Sequence, residues 1–249
     1  MNEPLKRIKE EAGALTTGLE LPGFYRVCAH ELESSQKNFA EHPMLGRLRE
    51  DVIPFLRDNY GHGMEHAKKV AVEAGAIVLV ESRRKDVEAA NYLALLAQVS
   101  GLLHDVCRLE PDHAAKGAEM AQTILHDYPL SVEDKEKISF AIASHEAFQP
   151  LQNSMDVEAE LLSGALYDAD KFRWGPDNFT TTLWEICDHQ EWSLSEIVER
   201  FPEGVEKIKE IASTFRTGTG KKHGPEFIEL GLALGQRIYK LLLKYSPSP

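Results

Sequence analysis

Four histidines and two aspartates run through the middle of this chain in the order His66, His104-Asp105, His113, His145, Asp170. Imidazole and carboxylate are the side chains that hold zinc, iron, manganese and similar ions. The pair His104-Asp105 closes the apolar run Leu102-Leu103. A carboxylate at that point can bridge two ions, whereas an imidazole serves one. A lone histidine on an apolar face is more often a satisfied core residue than a ligand. Four of them with two aspartates reverse that judgement, because buried imidazoles and carboxylates left unsatisfied would together cost several kcal/mol. No cysteine belongs to the set, which argues against a closed structural zinc site. Mixed nitrogen and oxygen ligands suit Mn, Fe, Co, Ni or Zn better than Mg.

The elements that must position these residues read as helices. Apolar positions 67, 70, 71, 74, 77 and 78 follow a helical period from Met64 to Val80. Asp86 can cap a second helix running to His104. Pro111-Asp112 marks a new start, with a helix through Ile124-Leu125. Ser131 to Asp134 resembles a capping box for the helix carrying His145, with Asp in place of the usual Glu or Gln. A helix from about Asp156 ends near Asp170, Ser193 to Glu196 opens another, and Phe227 to Tyr245 forms a last amphipathic one. Helical phase turns His66, His113 and His145 inward from different helices, with Gly117 allowing close backbone approach beside His113. Strand-like alternation is scarce. The expectation is an all-α protein: an N-terminal arm over 1–22 and one compact helical domain over 23–249, with the chemistry in about 60–175.

Composition bounds the rest. The 249 residues suffice for a sizeable core, and 43% hydrophobic with 27% charged content is ordinary for a globular protein. The 28 basic against 40 acidic residues give a net charge of −12, which disfavours nonspecific binding to nucleic acid or an anionic membrane. Cys28, Cys107 and Cys187 are widely spaced and form no CxxC, which suggests a reduced compartment. The charged N-terminus and the lack of an 18-residue apolar stretch make a cytoplasmic location the default.

The stretches Gly63 to Val70, Gly101 to Arg108, His113 to Glu119, Ala141 to His145 and Asp168 to Phe172 together resemble the HD superfamily of metal-dependent phosphohydrolases, in that family's order. The resemblance covers roughly residues 60 to 175. It implies a helical HD domain in which His66, His104, Asp105 and Asp170 hold one divalent transition metal. His113 and His145 would hold a second, with Asp105 bridging. It further implies phosphoester hydrolysis, with nucleotides or other small phosphorylated metabolites as substrates. Helical phase leaves Asp168 and Asp170 open as the last ligand, since they lie about 200° apart on an ideal helix. The family's ligand stands immediately before a basic residue, which selects Asp170 and leaves Asp168 as an orienting or capping residue.

Cations near these ligands are candidates for substrate phosphate. Arg108 follows Asp105 by three residues and offers a planar fork, and Lys171 follows Asp170. A solvated surface charge is an equal alternative for either. His62 stands four residues before His66 and is a candidate for proton transfer, against an exposed turn position between Gly61 and Gly63. Trp174 and Trp184 could wall a nucleobase pocket, although core packing is the commoner role. Two other functions compete with hydrolysis. One is a di-iron oxygenase of the same superfamily cleaving a C–C or C–P bond; the short gap between His104 and His113 favours the hydrolase. The other is a noncatalytic nucleotide-binding regulatory domain, which the intact ligand set disfavours.

Overall fold

The computed structural model describes residues 3–56, 63–149 and 156–246, so His62 lies outside the described residues. Among the described residues the fold is all helix, with no strand. The helices are α1 (Glu3–Ala14), α2 (Gly23–Val27), α3 (Ala29–Glu41), α4 (Pro43–Val52), α5 (Met64–Glu81), α6 (Val87–Leu103), α7 (His113–Ile124), α8 (Val132–Ala143), α9 (Val157–Phe172), α10 (Leu183–His189), α11 (Leu194–Ile211) and α12 (Gly218–Tyr245). A π-helical turn, Asn178–Thr182, precedes α10.

The centre is α5 packed along α6. Both are apolar nearly all round and buried accordingly, from Ala67 to Val78 except Lys68 and Lys69, and from Leu93 to Leu103. A Cβ on Gly101 would come within 2.5 Å of Ala71 Cα, so that glycine sets how closely the two axes approach. Helix α9 packs on α5 and α6, α8 on α6 and α9, and α7 on α8, while α3 and α4 cover the other side. The caps follow local chemistry. Asp86 accepts from the Glu88 and Ala89 amides, and Ser131–Asp134 and Ser193–Glu196 both close reciprocal capping boxes.

One charge is buried in the middle of α5. Glu73 accepts from Arg173 Nη2 at 2.7 and 2.8 Å and from the Tyr25 hydroxyl at 2.6 Å. This pair ties the end of α9 to the centre, and removing one partner of such a pair typically costs about 3–5 kcal/mol.

Two boundaries differ from the sequence expectation. The last helix starts at Gly218 rather than near Phe227 and carries Pro225 inside it. Local propensity reads Gly218 to Pro225 as loop, yet Thr217 caps the helix and Gly220 and Gly224 admit the Asp168 and Phe215 side chains, which would collide with any Cβ there. Lys221-Lys222-His223 is therefore a helical segment, with His223 buried. The second difference is α8, which ends at Ala143, so His145 lies just past the C-cap Ser144 instead of within the helix.

The N-terminal segment expected as an arm contains α1, which packs on α12 and buries Leu5, Ile8 and Ala12. The three cysteines are free. No helix among the described residues is long and apolar enough to cross a membrane.

Candidate metal centre

The structure brings His66, His104, Asp105, His113, His145 and Asp170 together where five helix segments meet. His66 is in the first turn of α5, and His104 is the C-cap of α6. Asp105 follows in a turn, His113 opens α7, His145 follows α8, and Asp170 stands in the last turn of α9. Helix ends suit this task because neighbouring side chains can converge on one point without the 3.6-residue repeat forcing them apart. Gly117 eases the convergence, since a Cβ there would lie 3.2 Å from the His104 carbonyl oxygen, a tight contact.

The two oxygens of Asp105 face different histidines. Oδ2 lies 3.2 Å from His104 Nε2 and 3.5 Å from His66 Nε2. Oδ1 lies 3.7 Å from His145 Nε2 and 3.9 Å from His113 Nε2. Asp170 Oδ1 joins the first group, 3.4 Å from His66 Nε2 and 3.9 Å from His104 Nε2. Two potential cation-binding groups result, sharing Asp105.

The donor chemistry fits a metal. His104 Nδ1 lies 2.8 Å from the Gly101 carbonyl and His145 Nδ1 lies 2.6 Å from the Ile142 carbonyl. A carbonyl only accepts, so each Nδ1 carries the proton and Nε2 presents its lone pair to the cluster. His113 Nδ1 is held the same way by Glu146 Oε1 at 2.8 Å. His66 Nε2 and His104 Nε2 stand 3.1 Å apart. Two nitrogen ligands about 2.1 Å from one ion would stand about 3.0 Å apart at a right angle and about 3.4 Å apart at the tetrahedral angle.

Electrostatics differ across the cluster. Burial works to lower the His104 pKa, but the Asp105 and Asp170 carboxylates raise it overall. Burial also opposes ionisation of Asp170, yet the Lys171 ammonium and His66 hold its carboxyl well below the usual range. His113 is pushed down to about 4 by burial, His145 and Arg108.

The remaining candidates separate. Asp168 turns away from the cluster and holds the loop that leads into α12, accepting from the Arg216 amide at 2.8 Å, the Thr217 amide at 2.8 Å and the Thr217 hydroxyl at 2.7 Å. Burial raises its pKa to about 6 against those hydrogen bonds. Lys171 is buried rather than solvated, with its ammonium on Asp170 Oδ2 and 5.0 Å above the Tyr167 ring. Arg108 is exposed, and its Nη1 lies 3.0 Å from His113 Nε2. Trp184 is a core residue whose indole donates to the Phe179 carbonyl at 2.9 Å. Trp174, by contrast, lines a cavity of about 910 Å³ that opens onto His66, Asp105, His113 and His145.

Sequence reading missed Glu146 and Arg173. Glu146 carried one signal, its adjacency to His145. Arg173 carried another, as the partner that a charge inside the apolar run Val70 to Val78 requires. The same cavity is bordered by Phe148, which holds a left-handed backbone (φ 64°) unusual for a bulky residue, with its ring exposed. Comparisons of the chain with protein-family models, with curated proteins and with solved structures find no match.

Proposed function

We propose that this protein is a metal-dependent phosphohydrolase of the HD type, acting on a small phosphorylated metabolite through two divalent transition metal ions. The observation that carries the reading is the division of the Asp105 carboxylate, one oxygen toward His66 and His104 and the other toward His113 and His145. His66, His104, Asp105 and Asp170 would hold one ion, and Asp105, His113 and His145 the other. Bound there, such a pair supplies hydroxide near neutral pH and withdraws charge from phosphoryl oxygens.

The protein's own groups do the rest. The Gly101 and Ile142 carbonyls and Glu146 fix the tautomers of His104, His145 and His113, so that each turns a lone pair inward. Lys171 keeps Asp170 ionised. Arg108 stands beside the second group at the cavity wall, where its guanidinium can pair with a substrate phosphate oxygen. His104 is shut off from bulk water, and Asp105 meets it only through the cavity. No serine or cysteine nucleophile is required.

The test is metal analysis of protein purified without chelator, followed by assay against phosphomonoesters and phosphodiesters with Mn, Fe, Co, Ni or Zn. The expected result is about two ions per chain and metal-dependent release of phosphate or alcohol. Oxygen consumption by the iron-loaded protein without phosphoester turnover would replace hydrolysis by the oxygenase alternative.

A further inference from the structure

The cavity is much larger than a reacting phosphate needs. Its roughly 910 Å³ lies near the top of the range for sites that enclose a whole small molecule. From the histidine–aspartate cluster it runs past Trp174, whose ring lies 6.0 Å from the Lys171 ammonium, to Trp192, on which the Arg200 guanidinium stacks at 4.9 Å.

Two helices form the walls of this arm. On α11, Ile197, Phe201, Val205 and Ile208 fall on one face at helical spacing, and all four line the cavity. On α10, Leu183 and Ile186 line it as well. Apolar faces of two such neighbouring helices ordinarily close on each other to exclude water. Here Ile197, Phe201 and Ile208 are buried, with Phe201 packed on Phe179 and Tyr239, while half-buried Leu183, Ile186 and Val205 border the space that runs on to the cluster. Hydrogen-bonding groups on the walls of the arm are Asn178 and Thr182 on the π-helical turn, Gln190 at the end of α10, the Trp192 indole and the Arg200 guanidinium stacked on it. Glu203 and Lys207 stand on its exposed side, paired at 2.8 Å.

We propose that the group esterified to the reacting phosphate is hydrophobic, an alkyl or aryl chain, and that it lies between α10 and α11. This inference rests on the phosphohydrolase reading and narrows its substrate class. The polar end of such a molecule belongs with the cluster and Arg108. Its apolar end gains by leaving water for the faces of α10 and α11. A nucleoside would have to set the polar edges of its base and sugar against the apolar side chains of Leu183, Ile186 and Val205.

Alkylphosphonates from methyl to octyl test this without turnover, because their C–P bond does not hydrolyse by phosphoester chemistry. Binding to the Mn-loaded protein is read by calorimetry and by the fluorescence of Trp174 and Trp192, with buried Trp184 as a constant background. The expected result is affinity rising about three- to fourfold per methylene until the arm is filled. Ile186→Asp should flatten that rise, and Val205→Asp, at a half-buried position, should do the same if the first variant folds poorly. Adenosine and thymidine monophosphates should bind more weakly than octylphosphonate.

Affinity independent of chain length, or nucleotides binding more tightly than octylphosphonate, overturns the inference. Methyl and octyl phosphate assayed in parallel separate it from the reading beneath it. Turnover of both esters with a flat phosphonate series removes the hydrophobic arm and leaves hydrolysis standing. A steep phosphonate series with no turnover of any ester removes hydrolysis and leaves the arm.

Discussion

The inner and outer halves of the histidine–aspartate cluster are built from the same residue types in opposite electrostatic settings. His66, His104 and Asp170 lie at the ends of the long helices α5, α6 and α9, deep in the core, and two carboxylates surround their imidazoles. His113 opens the shorter α7 and His145 follows α8; here Arg108 stands 3.0 Å from His113, Asp105 contributes one oxygen, and Glu146 reaches His113 only from its far side. The His104 pKa is accordingly raised by its carboxylates, and that of His113 is lowered to about 4 by burial, His145 and Arg108. A cation gains more where negative charge is already concentrated and water is excluded. The inner half should therefore bind its ion first and release it last.

The largest effect is expected where the halves join. Asp105→Ala should abolish turnover and deplete both ions, read by elemental analysis on protein whose helical circular dichroism is retained. Normal activity in that variant would separate Asp105 from the chemistry and dissolve the comparison. His104→Ala comes next. It removes a fully buried side chain along with its ligand nitrogen, so both the inner ion and thermal stability should fall, the latter by on the order of 2–4 kcal/mol.

His113→Ala should be milder for the fold and selective for the outer half. Bound metal should drop from about two ions toward one, and activity by on the order of a hundredfold. If the parent never exceeds one ion with excess Mn, Fe or Ni and His113→Ala turns over normally, the outer half is no metal site. Glu146→Gln is smaller again, because it loosens only the hydrogen bond to His113 Nδ1. Affinity for the second ion should weaken by about ten- to a hundredfold while the first is unchanged, read by chelator titration.

The smallest effect on metal is expected from Asp168→Ala. It removes the buried acceptor that holds the Arg216 and Thr217 amides and the Thr217 hydroxyl before α12 and should cost about 1–3 kcal/mol of stability, yet metal content should stay at the parent's level. Loss of an ion in Asp168→Ala, with Asp170→Ala retaining both, would exchange the two residues' roles.

Much of the helical fold was legible along the chain because its signals are local. The capping residues Asp86, Ser131 and Ser193 satisfy amides two or three residues away, and a 3.6-residue apolar period needs no distant partner to be read. Where those signals failed, a distant contact had overruled them. The Gly- and Pro-containing stretch from Gly218 to Pro225 is helical because Asp168, remote in sequence, and Phe215, in the loop just before it, fill the space that its glycines leave.

The candidate site divides along the same line. The residue types and their order were visible in the sequence, and helical phase turned His66, His113 and His145 inward. Phase could not choose between Asp168 and Asp170, since both faces of α9 are buried and hydrophobic spacing supports either. The tertiary structure separated them: the loop before α12 supplies amides that take up Asp168, while His66 and Lys171 stand on the side of Asp170. Arg108 and Lys171 were likewise equivalent as charges in sequence. Packing left Arg108 at the cavity and buried Lys171 against Asp170, because exposure depends on what the rest of the chain places overhead. The sequence by itself determined which candidate ligands exist and which helices carry or flank them. The meeting of five helix segments, the pairing of Glu146 with His113 and the open space between α10 and α11 depend on contacts far apart along the chain, and only the tertiary structure decided them.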